Sequence, residues 1–169
     1  MGTEAAIGLG SNIGDRLAHL ALATAKIEEI TGVSLLAKSS VYETEPVGVP
    51  AEFAGQKFLN AVALFEVDLD VETWSNAIHA IEADMLRVRG SVRNVPRTID
   101  LDLLYFGDVV MNQPHLHLPH PQCTSRRFVC QPLCELRPHL ILPNETRSIT
   151  EILAGLPMSP VVTSFIKTW

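Results

Sequence analysis

Residues 96–106 read PRTIDLDLLYF, and their pattern decides the fold. The run from Thr98 to Phe106 is apolar enough for a buried strand, yet Asp100 and Asp102 are set into it. In a strand, positions i and i+2 point the same way, with a rise of ~3.3 Å per residue. The two carboxylates therefore share one face, roughly 6.6 Å apart. At that separation they repel by ~2.5 kcal/mol at an effective dielectric near 20. Something positive must offset that cost. Either arginines pair with them, or a divalent metal lies between them. Hard oxygen ligands suit Mg²⁺, which completes its shell with phosphate oxygens and water.

The sequence just upstream supplies cations. From Met85 to Ile99 there are four arginines (Arg87, Arg89, Arg93 and Arg97) and no acid. The whole chain carries a formal net charge of −6, which disfavours general nucleic-acid binding. An acidic protein with one local arginine cluster suits a small anionic ligand. Metal-binding acids beside fixed cations are how a polyphosphate site is built.

Outward from this strand, the chain alternates strand and helix. Ala5 to Leu9 fits a strand, and GSN breaks it. Gly8 and Gly10 read as a tight turn from strand to helix, with Asn12 as the N-cap and Asp15 in the first turn. Ile13, Leu17, Leu20, Ile27 and Ile30 give that helix its apolar stripe, and Thr31-Gly32 ends it. Val33 to Ser39 reads as a second strand. Residues 43–57 hold two prolines and two glycines and form a long loop. Phe58 to Glu66 is apolar on both faces, as a central strand is, with Asn60 its one polar interior residue. Asp70 caps a second helix carrying Val71, Trp74, Ile78, Ile81 and Met85. Residues 87–96 form a second long loop. After the acid-bearing strand, Gly107-Asp108 turns and Val109-Val110 returns as a short hairpin. Arg127 to Glu135 and Ile149 to Leu153 read as short helices, and the tail after Leu156 is unassigned. The order β-α-β-β-α-β predicts an α+β ferredoxin-like βαββαβ antiparallel sheet with helices on one face and extra C-terminal elements.

The 169 residues make one domain, and the 47% hydrophobic content excludes disorder. No apolar run is long enough for a membrane span, and the N-terminus has no basic region of the kind that opens a signal peptide. The three cysteines, Cys123, Cys130 and Cys134, form no CxxC and read as free thiols in a reducing cytoplasm. No P-loop is present. GLGSNIG fails as a dinucleotide fingerprint because residue 13 is Ile. The i, i+2, i+5 spacing of His115, His117 and His120 matches no standard zinc pattern.

GLGSN, YETEPVG, FLNAV, RVR, PRTIDLDLLYFG and LPHPQCTSRRFVCQPLCEL occur in that order, over about residues 5–155. Together they resemble the 6-hydroxymethyl-7,8-dihydropterin pyrophosphokinase family of folate biosynthesis. The resemblance implies transfer of pyrophosphate from ATP, as co-substrate, to the hydroxymethyl group of 6-hydroxymethyl-7,8-dihydropterin, with AMP released and two Mg²⁺ as cofactors. It implies no nucleic-acid, membrane or obligate protein partner, and a cytoplasmic enzyme. Asp100 and Asp102 would hold both metals. Arg87, Arg97, Asp100 and Asp102 would be catalytic. Glu82, Arg87, Arg89, Arg97, Leu103, His120 and Arg126 would contact ATP. Thr44, Pro46, Val47, Gly48, Phe58, Asn60, Asp100 and Phe128 would form the pterin side, with Phe58 and Phe128 stacking on the two faces of the ring. A flat ring between two phenyl groups gains about 0.5–1.5 kcal/mol per pair beyond area. Asn60 offers a donor and an acceptor to a pterin edge. Without the resemblance, both phenylalanines read as core and Asn60 as bonded to backbone.

Departures from the family occur at His79, where Gln is frequent, at Asn94-Val95, where Trp-Gly is frequent, and at His117, where a small hydroxyl residue occurs. Two other classes compete. A ferredoxin-like nucleotidyltransferase or cyclase would release pyrophosphate and ignore pterins. A regulatory ligand-binding module would have no use for paired metal acids beside arginines.

Overall fold

A computed structural model describes residues 2–86 and 98–169. The arginine-rich stretch 87–97, and with it the expectations placed on Arg87, Arg89 and Arg97, lies outside the described residues. The chain runs β1 (Thr3–Ser11), α1 (Arg16–Glu28), β2 (Val33–Lys38), β3 (Val41–Thr44), β4 (Phe58–Val67), α2 (Val71–Met85) and β5 (Asp100–Phe106). There follow β6 (Met111–Gln113), β7 (Leu116–Leu118), α3 (Arg127–Leu136), α4 (Ile149–Gly155) and β8 (Val162–Ile166).

The main sheet has the order β5-β1-β4-β3-β8, with β2 also on β4, and every pairing is antiparallel. β2 and β3 share one edge of β4 and behave as a single strand bent at Ser39-Ser40. Counted that way, the first four strands take the ferredoxin-like order expected from the βαββαβ pattern. β4 is central, and its residues from Leu59 to Phe65 are all buried.

Two cores flank this sheet. Ala5, Ile7, Leu9, Ala63 and Phe65 pack with Leu20, Ile27, Trp74 and Ile78 of α1 and α2. The Phe65 and Trp74 rings meet at 5.9 Å, tilted by 57°. On the opposite face Ala6, Val62, Leu64 and Leu104 pack with Val129, Cys130, Leu133, Ile149 and Ile152 of α3 and α4. Helices therefore cover both faces, not one. The apolar sides of α3 and α4 need burial, and α1 and α2 already fill the first face.

The structure corrects three local expectations. Gly8 and Gly10 do not turn; they lie inside β1, and the turn comes at Gly14, whose φ is +69°. The cap moves with it. Asp15, not Asn12, accepts from the Ala18 amide at 3.1 Å. The hairpin after Gly107 does not return through Val109-Val110. It forms a separate two-stranded sheet, with Met111 opposite Leu118. The unassigned tail is β8, paired to β3 with Val162 opposite Thr44. Among the described residues no helix is long and apolar enough to cross a membrane.

Candidate active site

The site is a row across the sheet. Register places Asp100 opposite Gly10, and Gly10 opposite Asn60 on its other side. One step along, Asp102 faces Gly8, and Gly8 faces Val62. Cross-strand partners share a face, so the two acids, Asn60 and Phe58 all rise from the side that carries α3. The glycines between them have no side chain, which leaves an open floor. A Cβ on Gly10 would lie 3.2 Å from Asn60 Oδ1 and 3.8 Å from both the Asp100 Cβ and Phe58. A small cleft of about 30 Å³, lined by Gly8, Gly10, Asn60, both aspartates and Phe128, joins the acids to the amide.

The phase of β5 holds this arrangement. Ile7 pairs with Leu103 but Ala6 pairs with Tyr105, so Leu104 is an extra residue at a bulge. Before the bulge Leu101 and Leu103 point into the α1/α2 core and the acids point away from it. After it, Tyr105 and Leu104 fill the other core. A bulge re-aims side chains in this way. At the start of β5, Glu82 of α2 accepts from the Leu101 amide at 2.6 Å, pinning the backbone between the two aspartates. That contact is structural, in addition to the nucleotide role expected of Glu82.

On one side of the row lies a cavity of about 360 Å³ lined by Thr44, Glu45, Val47, Phe58, Asn60, Arg126 and Phe128, together with residues from the C-terminal segment. Asn60 Nδ2 donates to Thr44 Oγ1 at 2.7 Å. Arg126 lies 5.5 Å over the Phe128 ring. Pro46 and Gly48 belong to the same loop but do not line the cavity.

On the other side, a second cavity of about 380 Å³ is bounded by His79, Leu101, Asp102, Leu103, His115, His117 and His120. The His120 amide donates to the Leu104 carbonyl at 2.8 Å, tying this loop to β5. His120 Nδ1 accepts from the Gln122 amide at 3.1 Å, so in the neutral ring the proton sits on Nε2, 3.9 Å from Asp102 Oδ1. Burial holds the His120 pKa below its usual value. Asp102 pulls the other way, and Arg126 and His117 add to the lowering. His115 faces Glu72 at 3.1 Å, toward the surface.

Of the residues singled out in the sequence, Thr44, Val47, Phe58, Asn60, Arg126 and Phe128 meet at the first cavity, and Leu103 and His120 at the second. Asp100 and Asp102 lie between them. Sequence reasoning missed the glycine floor, although Gly8 and Gly10 repeat at the same interval of two as the acids opposite. It also missed the C-terminal wall of the first cavity, for which the tail carries no periodic signal.

Fold and cleft define a class: a ferredoxin-like α+β domain with two ligand-sized cavities meeting at paired carboxylates. The model of the 7,8-dihydro-6-hydroxymethylpterin-pyrophosphokinase (HPPK) family matches residues 6–138. A 2-amino-4-hydroxy-6-hydroxymethyldihydropteridine pyrophosphokinase of Pseudomonas aeruginosa is 36% identical over 155 residues, 92% of this chain and 93% of that one. The protein of the same name from Bacillus subtilis is 38% identical over 136 residues, 80% of this chain and 79% of that one. Among solved structures, a Plasmodium falciparum HPPK-DHPS shares the fold with a TM-score of 0.71 at 16% identity. The match covers 91% of this chain but only 45% of that longer one. The chain belongs to the HPPK family.

Proposed function

We propose that this protein, acting as a single cytoplasmic domain, transfers pyrophosphate from ATP to the hydroxymethyl group of 6-hydroxymethyl-7,8-dihydropterin and releases AMP, in folate biosynthesis. The observation that carries the reading is the row Asp100–Gly10–Asn60, which sets an acid beside a buried amide across a floor with no side chain. The pterin fits the cavity between Phe58 and Phe128, with its polar edge against Asn60. Its hydroxymethyl group then points along the glycine floor toward the acids.

The donor set suits Mg²⁺. Two carboxylates stand on one strand face, and Asp102 is half exposed to the cleft. Among the described residues no group of three or more His, Cys, Asp and Glu is placed to hold a metal. Mg²⁺ typically takes one or two carboxylates and completes its shell with phosphate oxygens and water. Asp100 and Asp102 would hold two ions, which when bound neutralise charge on the phosphates. The chain supplies the positioning. Phe58, Phe128 and Asn60 hold the alcohol, while Leu101, Leu103 and His120 flank the nucleotide. His120, whose Nε2 lies 3.9 Å from Asp102 Oδ1, would donate to a phosphate held at the acids, and Arg126 lines the first cavity over the Phe128 ring. The substrate oxygen forms a bond to the β-phosphorus as the α,β-bridging bond breaks. AMP leaves, and the hydroxyl proton goes to water. Such transfer depends on alignment and charge stabilisation, not on a protein nucleophile.

The test is the nucleotide product. ATP, Mg²⁺ and the pterin alcohol mixed with the protein should yield AMP and the pterin diphosphate. ADP, or free pyrophosphate, would point to another reaction.

A further inference from the structure

Arg127, the first residue of α3, stands between Arg126 and Phe128 at the mouth of the pterin cavity. Its guanidinium reaches three backbone carbonyls. Nε donates to Pro157 O at 2.8 Å, and Nη2 donates to Leu156 O at 2.8 Å and Leu153 O at 3.2 Å. Leu153 and Leu156 belong to the end of α4 and its cap, where a cation is favoured by the dipole; the Leu153 carbonyl also accepts from the Leu156 amide at 3.2 Å, and the guanidinium is a second donor to it. Pro157 begins the next segment. Pro157, Ser159 and Pro160 form a wall of the cavity that faces Thr44, Phe58 and Asn60.

This wall has little else to hold it. Residues 157–159 are exposed, so burial contributes little, and neither proline has an amide to donate. Beyond the wall the chain is secured again. β8 pairs with β3, placing Val162 opposite Thr44. Arg16 of α1 lies 5.7 Å over the Phe165 ring, and the Trp169 indole donates to Ser39 O at 2.8 Å. The wall is thus a strap tied at one end to the sheet edge and at the other to Arg127. All of the strap lies outside residues 6–138, the part matched by the family model.

We propose that Arg127 is a positioning residue for the pterin cavity: by holding the carbonyls of Leu153, Leu156 and Pro157 it fixes the 157–160 strap as a wall of the binding site. The inference rests on the pterin reading above. It requires Arg specifically, because a guanidinium fork satisfies several carbonyls at once and an ammonium does not do so in this geometry. When the clamp is lost, the strap leaves its wall position for part of the time. If the binding-competent arrangement is then populated about one-tenth of the time, apparent affinity falls about tenfold.

The experiment compares wild type, Arg127→Ala and Arg127→Lys as full chains. AMP formation is measured against each substrate in turn, and amide hydrogen exchange over residues 157–163. Arg127→Ala should raise KM for the pterin alcohol about tenfold while kcat and KM for ATP stay within about twofold. Exchange in the strap should accelerate, and Arg127→Lys should fall between. An unchanged pterin KM would overturn the proposal, as would a parallel loss of kcat and both affinities along with melting temperature. If Arg127→Ala does not fold, Pro157→Gly loosens the strap with the guanidinium in place. It should raise the pterin KM in the same selective way, and no rise overturns the role. A wild-type protein that makes no AMP overturns the function itself. Unchanged strap exchange in Arg127→Ala overturns the clamp alone.

Discussion

Asn60 and Thr44 form a buried side-chain pair, with Nδ2 of Asn60 donating to the Thr44 hydroxyl oxygen at 2.7 Å. The bond fixes which way the amide points. With its donor engaged, Asn60 keeps Oδ1 turned toward Gly10 and the open floor. A pterin edge that donates from ring N–H and amino groups needs an acceptor there.

Thr44→Val should therefore separate orientation from shape. The isostere keeps the volume but leaves a buried N–H without its acceptor, which costs on the order of 1–2 kcal/mol. The amide is then free to flip. Urea denaturation should show that loss of stability, and the pterin KM should rise about tenfold, with Thr44→Ser close to wild type. Wild-type affinity in Thr44→Val would mean the amide needs no such partner.

Gly10→Ala tests the floor. The new methyl group would sit 3.2 Å from Asn60 Oδ1, tighter than ordinary contact, so the amide must give way. The backbone is not the obstacle, because Gly10 lies in a strand, where Ala is at least as acceptable as Gly. Stability should change by less than about 1 kcal/mol while turnover of the pterin falls at least about tenfold. A variant that binds pterin normally would show that the ligand does not cross this floor.

Much of this was readable in the residues. The alternation in TIDLDLLYF gave the acids one face, and the two periods, 2 and 3.6, set the strands and helices in a ferredoxin-like order. What the sequence hid depends on partners far along the chain. Gly8 and Gly10 look like a turn until β4 and β5 are seen on either side of them. Asp15 takes over the cap because β1 runs on to Ser11 and Gly14 makes the turn. β8 is short and mostly exposed, so it carries no apolar rhythm, and only its pairing to β3 defines it. The bulge at Leu104 leaves no local sign either, since Leu, Leu and Tyr suit both faces.

Asp102→Asn tests the acid pair by two independent readouts. Removing one carboxylate relieves like-charge repulsion, so the melting temperature should hold or rise slightly. Mg²⁺-dependent turnover should fall by about 100-fold or more. Asp102 is also the group that raises the His120 pKa against the effect of burial. In Asp102→Asn the His120 titration, followed by NMR, should move to lower pH. Retained turnover would remove the metal assignment, and an unmoved His120 midpoint would deny the proximity.

The far end of β1 gives a prediction about stability alone. Glu4 sits opposite Glu66 in the β1–β4 register, an unfavourable pairing of like charges. Arg137 answers it from the end of α3, with Nη2 donating to Glu4 Oε2 at 2.7 Å and Nε to Oε1 at 3.2 Å, and the Tyr105 hydroxyl donates to Oε1 at 2.7 Å. Burial alone would raise the Glu4 pKa, but the hydrogen bonds from Arg137 and Tyr105 outweigh it and hold the value below 4.5. A carboxylate with a lowered folded-state pKa binds its proton less readily folded than unfolded. Its stabilisation is complete above the unfolded value and disappears as pH falls through the folded one. Glu4→Gln should thus be less stable than wild type at pH 7 by on the order of 1 kcal/mol, or about 2–4 °C in Tm. The gap between the two melting curves should start to narrow as pH falls past about 4.5 and should close only below the lower, folded-state value. Because Glu4 lies about 20 Å along the strand from Gly10, kcat should not change. A difference in Tm that persists undiminished at acid pH would show that the Arg137–Glu4 pair is not the source of the stability.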